Sequence, residues 1–232
     1  MLNSQQIAFA KVLNLVEESG CMPYVMLIGS WTEFAYREAR LLGDFAPSIK
    51  TMDVDFLVRN LRKPTPSAGL AAAAKEKGFY VEADRIDGTT RIIDTTGLEV
   101  EFLIGKKGAG LEASLKTNLG VTAQALRHLD ILSKHPVVAQ CLGHEVIVPV
   151  PEAYALHKMV INSQRGAKAH KDARAVANLQ PYLNTTVFNE EGKGSGSPLC
   201  RTRRNQPLNR PRLAHAQTRR ARNFTLPAAL IR

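Results

Sequence analysis

The sequence is poor in cysteine and has no long hydrophobic run. Its three cysteines among 232 residues, Cys21, Cys141 and Cys200, are odd in number and far apart. This spacing argues against a disulfide framework or a Cys-x-x-Cys metal knuckle, so we expect buried thiols. No apolar run approaches the ~20 residues of a membrane span, and the N-terminus lacks a charged segment followed by an apolar one. We therefore expect a soluble, cytoplasmic protein with no membrane partner.

Several common catalytic motifs are also missing. The glycine-rich segment 105–110 lacks the Gly-Lys-Ser/Thr of a P-loop and is interpreted as a loop beside the site. His144-Glu145 is not followed by the second histidine of a zinc protease, and the six histidines show no metal-ligand spacing. No serine, histidine and acid can be singled out as a triad. The remaining chemistry lies with the carboxylates.

Positive charge is concentrated near the C-terminal end. The formal net charge is +10, but residues 191–232 hold ten of the 31 basic residues and one of the 21 acidic ones, which leaves 21 and 20 for residues 1–190. Residues 189–232 show no core-forming periodicity, so we expect a disordered basic tail. Three interpretations stay open. The tail is an arm that binds RNA electrostatically, a solvated charge run, or a segment read out of frame, since lysine gives way to Arg, Pro, Ala and Leu.

Hydrophobic periodicity predicts an α+β protein with a small mixed β-sheet. The expected helices cover 4–19, 31–42, 68–77 and two segments between 151 and 180, and the expected strands cover 24–28, 52–58, 79–84, 89–94 and 98–104, with a short helical piece and two more strands in 120–150. We expect residues 1–150 to form the core domain and residues 151–188 to form a helical appendage.

Two aspartates lie two residues apart on a predicted strand. Asp53 and Asp55 therefore point to one face, while Val54 and Phe56 point into the core. Two carboxylates about 4 Å apart repel by ~4 kcal/mol at an effective dielectric of 20, and a divalent cation removes that penalty. The pair is typical of a magnesium site. The alternative is a solvated strand face with two acids of no special role.

Two further features extend this pattern. Gly29-Ser30 lets the backbone approach a phosphate and begins a helix whose N-terminal amides favour an anion; the alternative is an ordinary helix cap. A third carboxylate lies on a later strand, as metal-assisted phosphoryl transfer requires. We choose Glu101 because it lies deeper in that strand between apolar residues, and we keep Glu99, on the same face, as the alternative.

The ordered set of Gly29-Ser30, Asp53-Val54-Asp55 and Glu101 resembles the polymerase-beta-type nucleotidyltransferases, which carry a Gly-Ser turn, an Asp-x-Asp strand and a third acid on a separate strand. The resemblance covers about residues 24–180. It implies transfer of a nucleoside monophosphate from an NTP to an acceptor hydroxyl, with release of pyrophosphate. The three acids would bind two Mg²⁺ ions, with Glu101 completing the metal site or assisting deprotonation. Gly29 and Ser30 would contact phosphates.

The C-terminal helices narrow the resemblance. Lys158, Arg165 and the downstream Asp172 resemble a motif of the bacterial AbiE-type toxin nucleotidyltransferases, and Arg37 is similar to the arginine of their first motif, at a spacing one residue longer. Lys158 and Arg165 would then neutralise the triphosphate; the alternative is a solvated helix face. Asp172 either pairs with one of these cations or only begins its helix.

Other points stay open. The acceptor is an RNA such as tRNA, a protein side chain or a small molecule such as an aminoglycoside, and an antitoxin-like protein is an implied partner. Trp31 either stacks on a base or packs in the core, and we favour the core. The second functional hypothesis is a catalytically inactive nucleotide- or RNA-binding module of the same fold.

Overall fold

The computed structural model describes residues 2–47, 51–106, 112–164, 166 and 169–194, the last five of these by their backbone alone. The helices in these ranges are α1 (Ser4–Glu18), α2 (Trp31–Glu38), α3 (Leu70–Glu76), α4 (Asp130–Ser133), α5 (Pro151–Ile161), α6 (Ala169–Leu179) and α7 (Thr185–Gly194). The strands are β1 (Val25–Ile28), β2 (Asp53–Val58), β3 (Tyr80–Ala83), β4 (Thr90–Ile93), β5 (Glu99–Gly105), β6 (Ser114–Lys116), β7 (Thr122–Leu126), β8 (Pro136–Cys141) and β9 (His144–Pro149). None of these helices combines the length and hydropathy needed to span a lipid bilayer.

Seven of the strands form one mixed sheet. Its order is β1-β2-β5-β4-β3, and β7 pairs with the carboxyl end of β5 and carries β6 on its other side. β5 runs parallel to β2 and to β7, whereas the other pairs of this sheet are antiparallel. β8 and β9 form a separate two-stranded hairpin. The predicted α+β fold with a small mixed sheet is confirmed.

The pairing of β2 with β5 brings the acids of the two strands side by side. Asp53 is opposite Glu99, and Asp55 is opposite Glu101. Because side chains alternate along a strand, all four carboxylates belong to one face of the sheet. Val54, between the two aspartates, is fully buried on the other face. The predicted division of β2 into an acidic face and a core face is therefore confirmed.

The main hydrophobic core lies on the face opposite the acids, against residues of α1, α2 and α3. The Trp31 ring is buried there, with its centroid 4.2 Å from that of Phe9 in a stacked arrangement. Phe34 contacts both rings edge-on. Such large buried aromatic surfaces dominate core energetics. Trp31 thus has the expected core-packing role and is not available to a base.

The structure departs from the sequence-based boundaries in three places. α2 ends at Glu38 and not near residue 42, because the chain reverses at Arg40, which has a φ of 53°. β6 and β7 were not predicted, since they are short and contain little alternating hydrophobicity. α7 was not predicted either, and it runs to Gly194, past the expected start of the tail at 189. The tail from residue 195 lies outside the described residues.

The C-terminal helices pack on one another and on α4, and α5 is central among them. Glu152, buried at the start of α5, accepts a hydrogen bond of 2.8 Å from the backbone N–H of Asn184, directly before α7. The Asn184 side chain in turn accepts from the Thr186 N–H at 3.0 Å and caps α7. α7 is therefore tied to α5. The division into a domain 1–150 and an appendage 151–188 stays a prediction.

Candidate active site

A cleft of about 490 Å³ lies between the acidic face of the sheet and helices α5 and α6. The predicted site residues that line it are Gly29, Ser30, Asp53, Asp55, Glu101 and Lys158. The fold thus brings together six of the seven residues that the sequence singled out, from the β1–α2 turn, β2, β5 and α5. The seventh, Arg165, lies outside the described residues.

Gly29 and Asp55 are in direct contact at the floor of the cleft. β1 pairs antiparallel with β2 so that Ile28 is opposite Asp55, which places the next residue, Gly29, against the Asp55 side chain. A Cβ at position 29 would overlap Oδ2 of Asp55 and lie 3.0 Å from its Cγ. Gly29 also has a φ of +70°, in the left-handed region. Glycine is therefore required at this position for two reasons: its backbone is in the left-handed region, and the Asp55 carboxylate fills the space of a side chain.

Ser30 stands at the N-terminus of α2. Its side chain makes no capping hydrogen bond, and its backbone is in the right-handed helical region. The helix therefore does not use the Ser30 hydroxyl as an ordinary cap. Ser30 lines the cleft at the N-terminal end of α2, the end of a helix at which the dipole favours an anion.

The acids differ in their neighbours. The Thr51 hydroxyl donates to Oδ2 of Asp53 at 3.2 Å, and Nε of Arg91 lies 3.7 Å from Oε1 of Glu101. Glu101 lines the cleft, whereas Glu99, two residues earlier on the same face of β5, is not part of its lining. The geometry therefore places Glu101, and not Glu99, nearer to Asp55.

The donor set of the cleft suits magnesium. Among the described residues, no three His, Cys, Asp or Glu side chains converge into a complete metal-binding group. Mg²⁺ does not need one, because it is held by one or two carboxylates and completes its octahedron with substrate phosphates and water. Asp53 and Asp55 supply such a pair of hard oxygen donors on one strand face.

Lys158 enters the cleft from α5 and is buried. Its Nζ donates to Oδ1 of Asp172 at 2.7 Å and lies 5.0 Å from the centroid of the Tyr154 ring. The side chains of Lys158 and Asp172 are only 9% and 5% exposed. The alternative that Lys158 belongs to a solvated helix face is therefore wrong, and Asp172 pairs with it. The pair places a cation on the side of the cleft that faces the acids.

Sequence reasoning missed a buried acid beside this lysine. Tyr154, one turn before Lys158, donates its hydroxyl to Oε1 of Glu33 at 2.8 Å. Burial raises the pKa of the Glu33 carboxyl, while the Tyr154 hydroxyl and the positive charges of Lys158 and Lys171 oppose that rise. One feature of the sequence could have indicated this buried acid: Glu33, three residues after Ser30, is a charged residue within the otherwise apolar face of α2.

A second hydrogen bond attaches α2 to the end of β9, just before α5 begins. The Tyr36 hydroxyl, fully buried, donates to the carbonyl of Pro149 at 2.6 Å, two residues before α5. The Tyr36 and Tyr154 rings meet edge-on with centroids 6.0 Å apart. Burial and the nearby acids raise the pKa of both phenols well above the ordinary value, so both remain protonated donors.

Charge is separated across the cleft. The sheet contributes carboxylates, whereas the facing elements contribute the cations Lys158, Lys171 and Arg127. A polyanion with an attached divalent cation fits between two such surfaces, its metal toward the acids and its remaining negative charge toward the cations. The arrangement can hold a nucleoside triphosphate with the phosphates extended from Ser30 toward Lys158.

Other residues raised by the sequence lie elsewhere. Arg37 pairs with Glu38 at 2.9 Å and lies over the Phe34 ring, and it does not line the cleft. Cys21 and Cys141 are buried as expected, and burial raises the pKa of their thiols to about 11 and about 12. Cys200 lies outside the described residues.

A known protein family matches most of this chain. A family model described as nucleotidyltransferase matches residues 8–193. The fold is similar to the crystal structure of an antigenic nucleotidyltransferase-like protein from Paracoccidioides brasiliensis, with 11% sequence identity, a TM-score of 0.43, and coverage of 82% of this chain and 86% of that one. Comparison with curated proteins gave no match. The assignment that follows is based on the family model, which spans most of the chain.

Proposed function

The chain belongs to the nucleotidyltransferase family, and from that membership we propose that it is an active enzyme. The proposed reaction moves a nucleoside monophosphate from an NTP to an acceptor hydroxyl and releases pyrophosphate. The observation that carries the proposal is the contact between Gly29 and Asp55, which joins the phosphate-binding turn to the acidic strand in one cleft.

Asp53 and Asp55 are the proposed Mg²⁺ ligands. Bound Mg²⁺ would neutralise phosphate charge and stabilise the developing negative charge of the transferred group. The side chains of the protein do the remaining work. Thr51 orients Asp53 through its 3.2 Å hydrogen bond, and Gly29 leaves the space in which the Asp55 carboxylate lies.

Glu101 is proposed either to complete the metal site or to accept the proton of the acceptor hydroxyl. Its register position opposite Asp55 and its place in the cleft lining support this role. Arg91, 3.7 Å away, forms an ion pair with Glu101. Lys158 is proposed to bind triphosphate oxygens, and the Asp172 carboxylate holds its ammonium group in place. Arg165 is proposed to help neutralise the same phosphates.

The direct test is transfer of label from each of the four α-labelled NTPs, in the presence of Mg²⁺, to RNA, to protein or to an aminoglycoside. The Asp53→Asn and Asp55→Asn variants should lose transfer. Glu101→Gln should lower the rate by about 100-fold or more if Glu101 acts as the base. Glu99→Gln is the matched control, because it changes the same residue type on the same strand face but outside the cleft lining, and it should retain most of the activity.

Binding of Mg²⁺ and NTP, followed by calorimetry, separates this proposal from the inactive module. An active site of the proposed kind requires that Asp53→Asn and Asp55→Asn weaken Mg²⁺-dependent NTP binding. Unchanged binding in these variants, together with no transfer to any acceptor, would favour a module that binds nucleotide without catalysis.

The AbiE-type subgroup is a finer proposal. Its support is the ion pair of Lys158 with Asp172, which joins two of the residues that carry the resemblance. A toxin-type activity, opposed by an antitoxin-like partner in the cytoplasm, would slow the growth of bacteria that express the chain. The Asp53→Asn variant should abolish that effect, and growth that is equally slow with this variant would argue against the subgroup.

A further inference from the structure

A second cavity, of about 1200 Å³, lies at the carboxyl ends of β2 and β5. Four of its lining residues are cationic: Arg59, Arg62 and Lys63 follow β2, and Lys106 follows β5. Because β2 and β5 are parallel and adjacent, the segments that leave their carboxyl ends meet at one edge of the sheet. We call the surface formed by these four side chains the basic groove.

The cations of the basic groove are not neutralised by the protein. None of the four forms an ion pair with a carboxylate in the part of the chain that the structure describes. Two acidic residues, Glu112 and Asp130, line the same cavity, so the cations outnumber the acids there. Like charges brought together raise the energy of the folded chain, which an anionic ligand would reverse.

This clustering stands out against the charge of the surrounding protein. Residues 1–190 hold 21 basic and 20 acidic residues, so their net charge is close to zero. Arg59, Arg62 and Lys63 nevertheless occur within five residues and are all exposed. A general excess of basic residues therefore does not explain the groove, and a specific anionic partner does.

The loop that carries three of these cations is held in place. The Asn118 side chain donates to the carbonyls of Arg62 and Pro64 at 3.0 and 3.1 Å, and the Asn118 N–H donates to the carbonyl of Leu61 at 2.8 Å. The Asn60 side chain accepts from the Arg62 N–H at 3.0 Å. A loop ordered before binding loses little conformational entropy when a ligand arrives, so its cations bind more strongly.

The basic groove adjoins the catalytic cleft. Leu129, immediately before α4, lines both cavities. Arg127 lines the cleft near this junction. Leu129 is buried, so the two cavities are neighbours that this side chain separates. A long ligand in the groove would therefore lie close to the acidic site, which a polymeric acceptor needs and a small acceptor does not.

We propose that the basic groove binds the phosphate backbone of a nucleic-acid strand and brings its terminal hydroxyl toward the cleft. The proposal rests on the proposed function, because it names the acceptor class for that reaction. Four cations lining one cavity suit a phosphate backbone, because proteins bind nucleic-acid strands in positively charged grooves. The guanidinium groups of Arg59 and Arg62 can each bind a phosphate through two parallel hydrogen bonds.

The test is equilibrium binding of a fluorescent single-stranded RNA to the full-length chain at several salt concentrations. In the groove variant, Arg59, Arg62 and Lys63 are all replaced by Ala. Three lost phosphate contacts should reduce the slope of log affinity against log salt by about 2. Between 50 and 200 mM salt, the affinity of the wild type should then fall about 20-fold more than that of the variant.

The matched control replaces three exposed cations that line neither cavity, Lys11, Lys75 and Arg85. It removes the same formal charge and keeps the basic segment 191–232, so that segment contributes equally to both proteins. The control should bind RNA with nearly the wild-type slope. Equal losses in the two variants, or no loss in the groove variant, would overturn the proposal. Thermal unfolding of both variants establishes that they are folded.

Two further measurements distinguish a failure of this proposal from a failure of the proposed transfer reaction. Binding of RNA does not require catalysis, so the wild type should bind RNA with the expected salt dependence even if no transfer is ever found. DNA of the same sequence and polyglutamate serve as competitors. Displacement by both nucleic acids but not by polyglutamate supports a phosphate-backbone site. Displacement by polyglutamate at equal charge would instead indicate an acidic protein partner and would contradict the proposal.

Discussion

The Asp55 carboxylate occupies the space in which a side chain at position 29 would begin. Gly29 belongs to the turn that leads into α2, and Asp55 belongs to the neighbouring strand β2, so the contact joins two elements that are far apart along the chain. The Gly29-Ser30 turn and the acidic strand are therefore not independent. A change in one must move the other.

Gly29→Ala should inactivate the enzyme more than it destabilises the fold. The new Cβ would collide with Oδ2 of Asp55 and force that carboxylate away from its position. Displacement of a catalytic group by about 1 Å costs about 100-fold in rate, and we expect at least this loss in transferase activity. The measurement is kcat for NMP transfer, alongside the free energy of unfolding in urea.

Gly20→Ala is the matched control for this variant. Gly20 also has a positive φ, of 67°, but a Cβ there would meet no atom within 4 Å. Both substitutions should lose about 1–2 kcal/mol of stability from the left-handed backbone alone. Only Gly29→Ala should lose activity beyond that. Equal activity in the two variants would show that the Asp55 contact has no catalytic importance.

Removal of either partner of the Lys158–Asp172 ion pair should destabilise the folded protein strongly. Each single substitution, Lys158→Ala or Asp172→Ala, leaves one buried charge without its main counterion and should cost about 3–5 kcal/mol. The double variant Lys158→Met with Asp172→Leu should cost much less than the sum of the two, because no uncompensated charge remains. Urea unfolding of the four proteins measures this coupling.

A surface ion pair provides the comparison for that experiment. Lys77 and Glu18 form a pair whose side chains are 41% and 57% exposed. Removing it should cost less than about 1 kcal/mol. If the double variant instead loses as much stability as the two single variants together, the two side chains act separately. The proposal that Asp172 positions Lys158 would then be wrong.

Glu33 should make the stability of the protein fall as pH rises. Burial raises the pKa of its carboxyl in the folded state above the ordinary value of about 4.3. The folded state therefore binds this proton more tightly than the unfolded state, and the stabilisation is complete below the ordinary pKa and is lost as pH rises through the raised one. Glu33→Gln keeps an acceptor for the Tyr154 hydroxyl and has no proton to lose.

The free energy of unfolding of Glu33→Gln, minus that of the wild type, should consequently increase between about pH 4 and pH 7.5. Urea titrations at several pH values give this difference directly. Glu82→Gln, at an exposed position on β3, corrects for the loss of a surface carboxylate. A difference that stays flat or decreases with pH would show that Glu33 does not hold its proton in the folded protein.

The acidic strand could be predicted because its signal is local. Asp53 and Asp55 alternate with Val54 within one strand, and this alternation alone determines which face each side chain occupies. The choice of Glu101 over Glu99 was also possible, since the apolar residues around Glu101 indicated its depth. Local alternation thus identified the acids of the candidate site without any knowledge of which strands pair.

The contacts between these elements could not be predicted in the same way. Glu33 and Tyr154 are separated by 121 positions, and only the packing of α5 against α2 brings them together. The basic groove depends on the parallel pairing of β2 with β5, which places Lys106 beside the residues that follow β2. Helical periodicity did not find α7 either, because its start is set by the hydrogen bond from Asn184 to Glu152.

Two hydrogen bonds from α2 determine where the base of α5 lies. The Tyr36 hydroxyl donates to the carbonyl of Pro149 at the end of β9, and the Tyr154 hydroxyl donates to Glu33, so the first turn of α5 is attached to α2. Because α5 is one continuous helix from Pro151 to Ile161, these bonds also set the position of Lys158 one turn later. The cation that faces the acids is thus positioned by tyrosines that do not themselves carry charge.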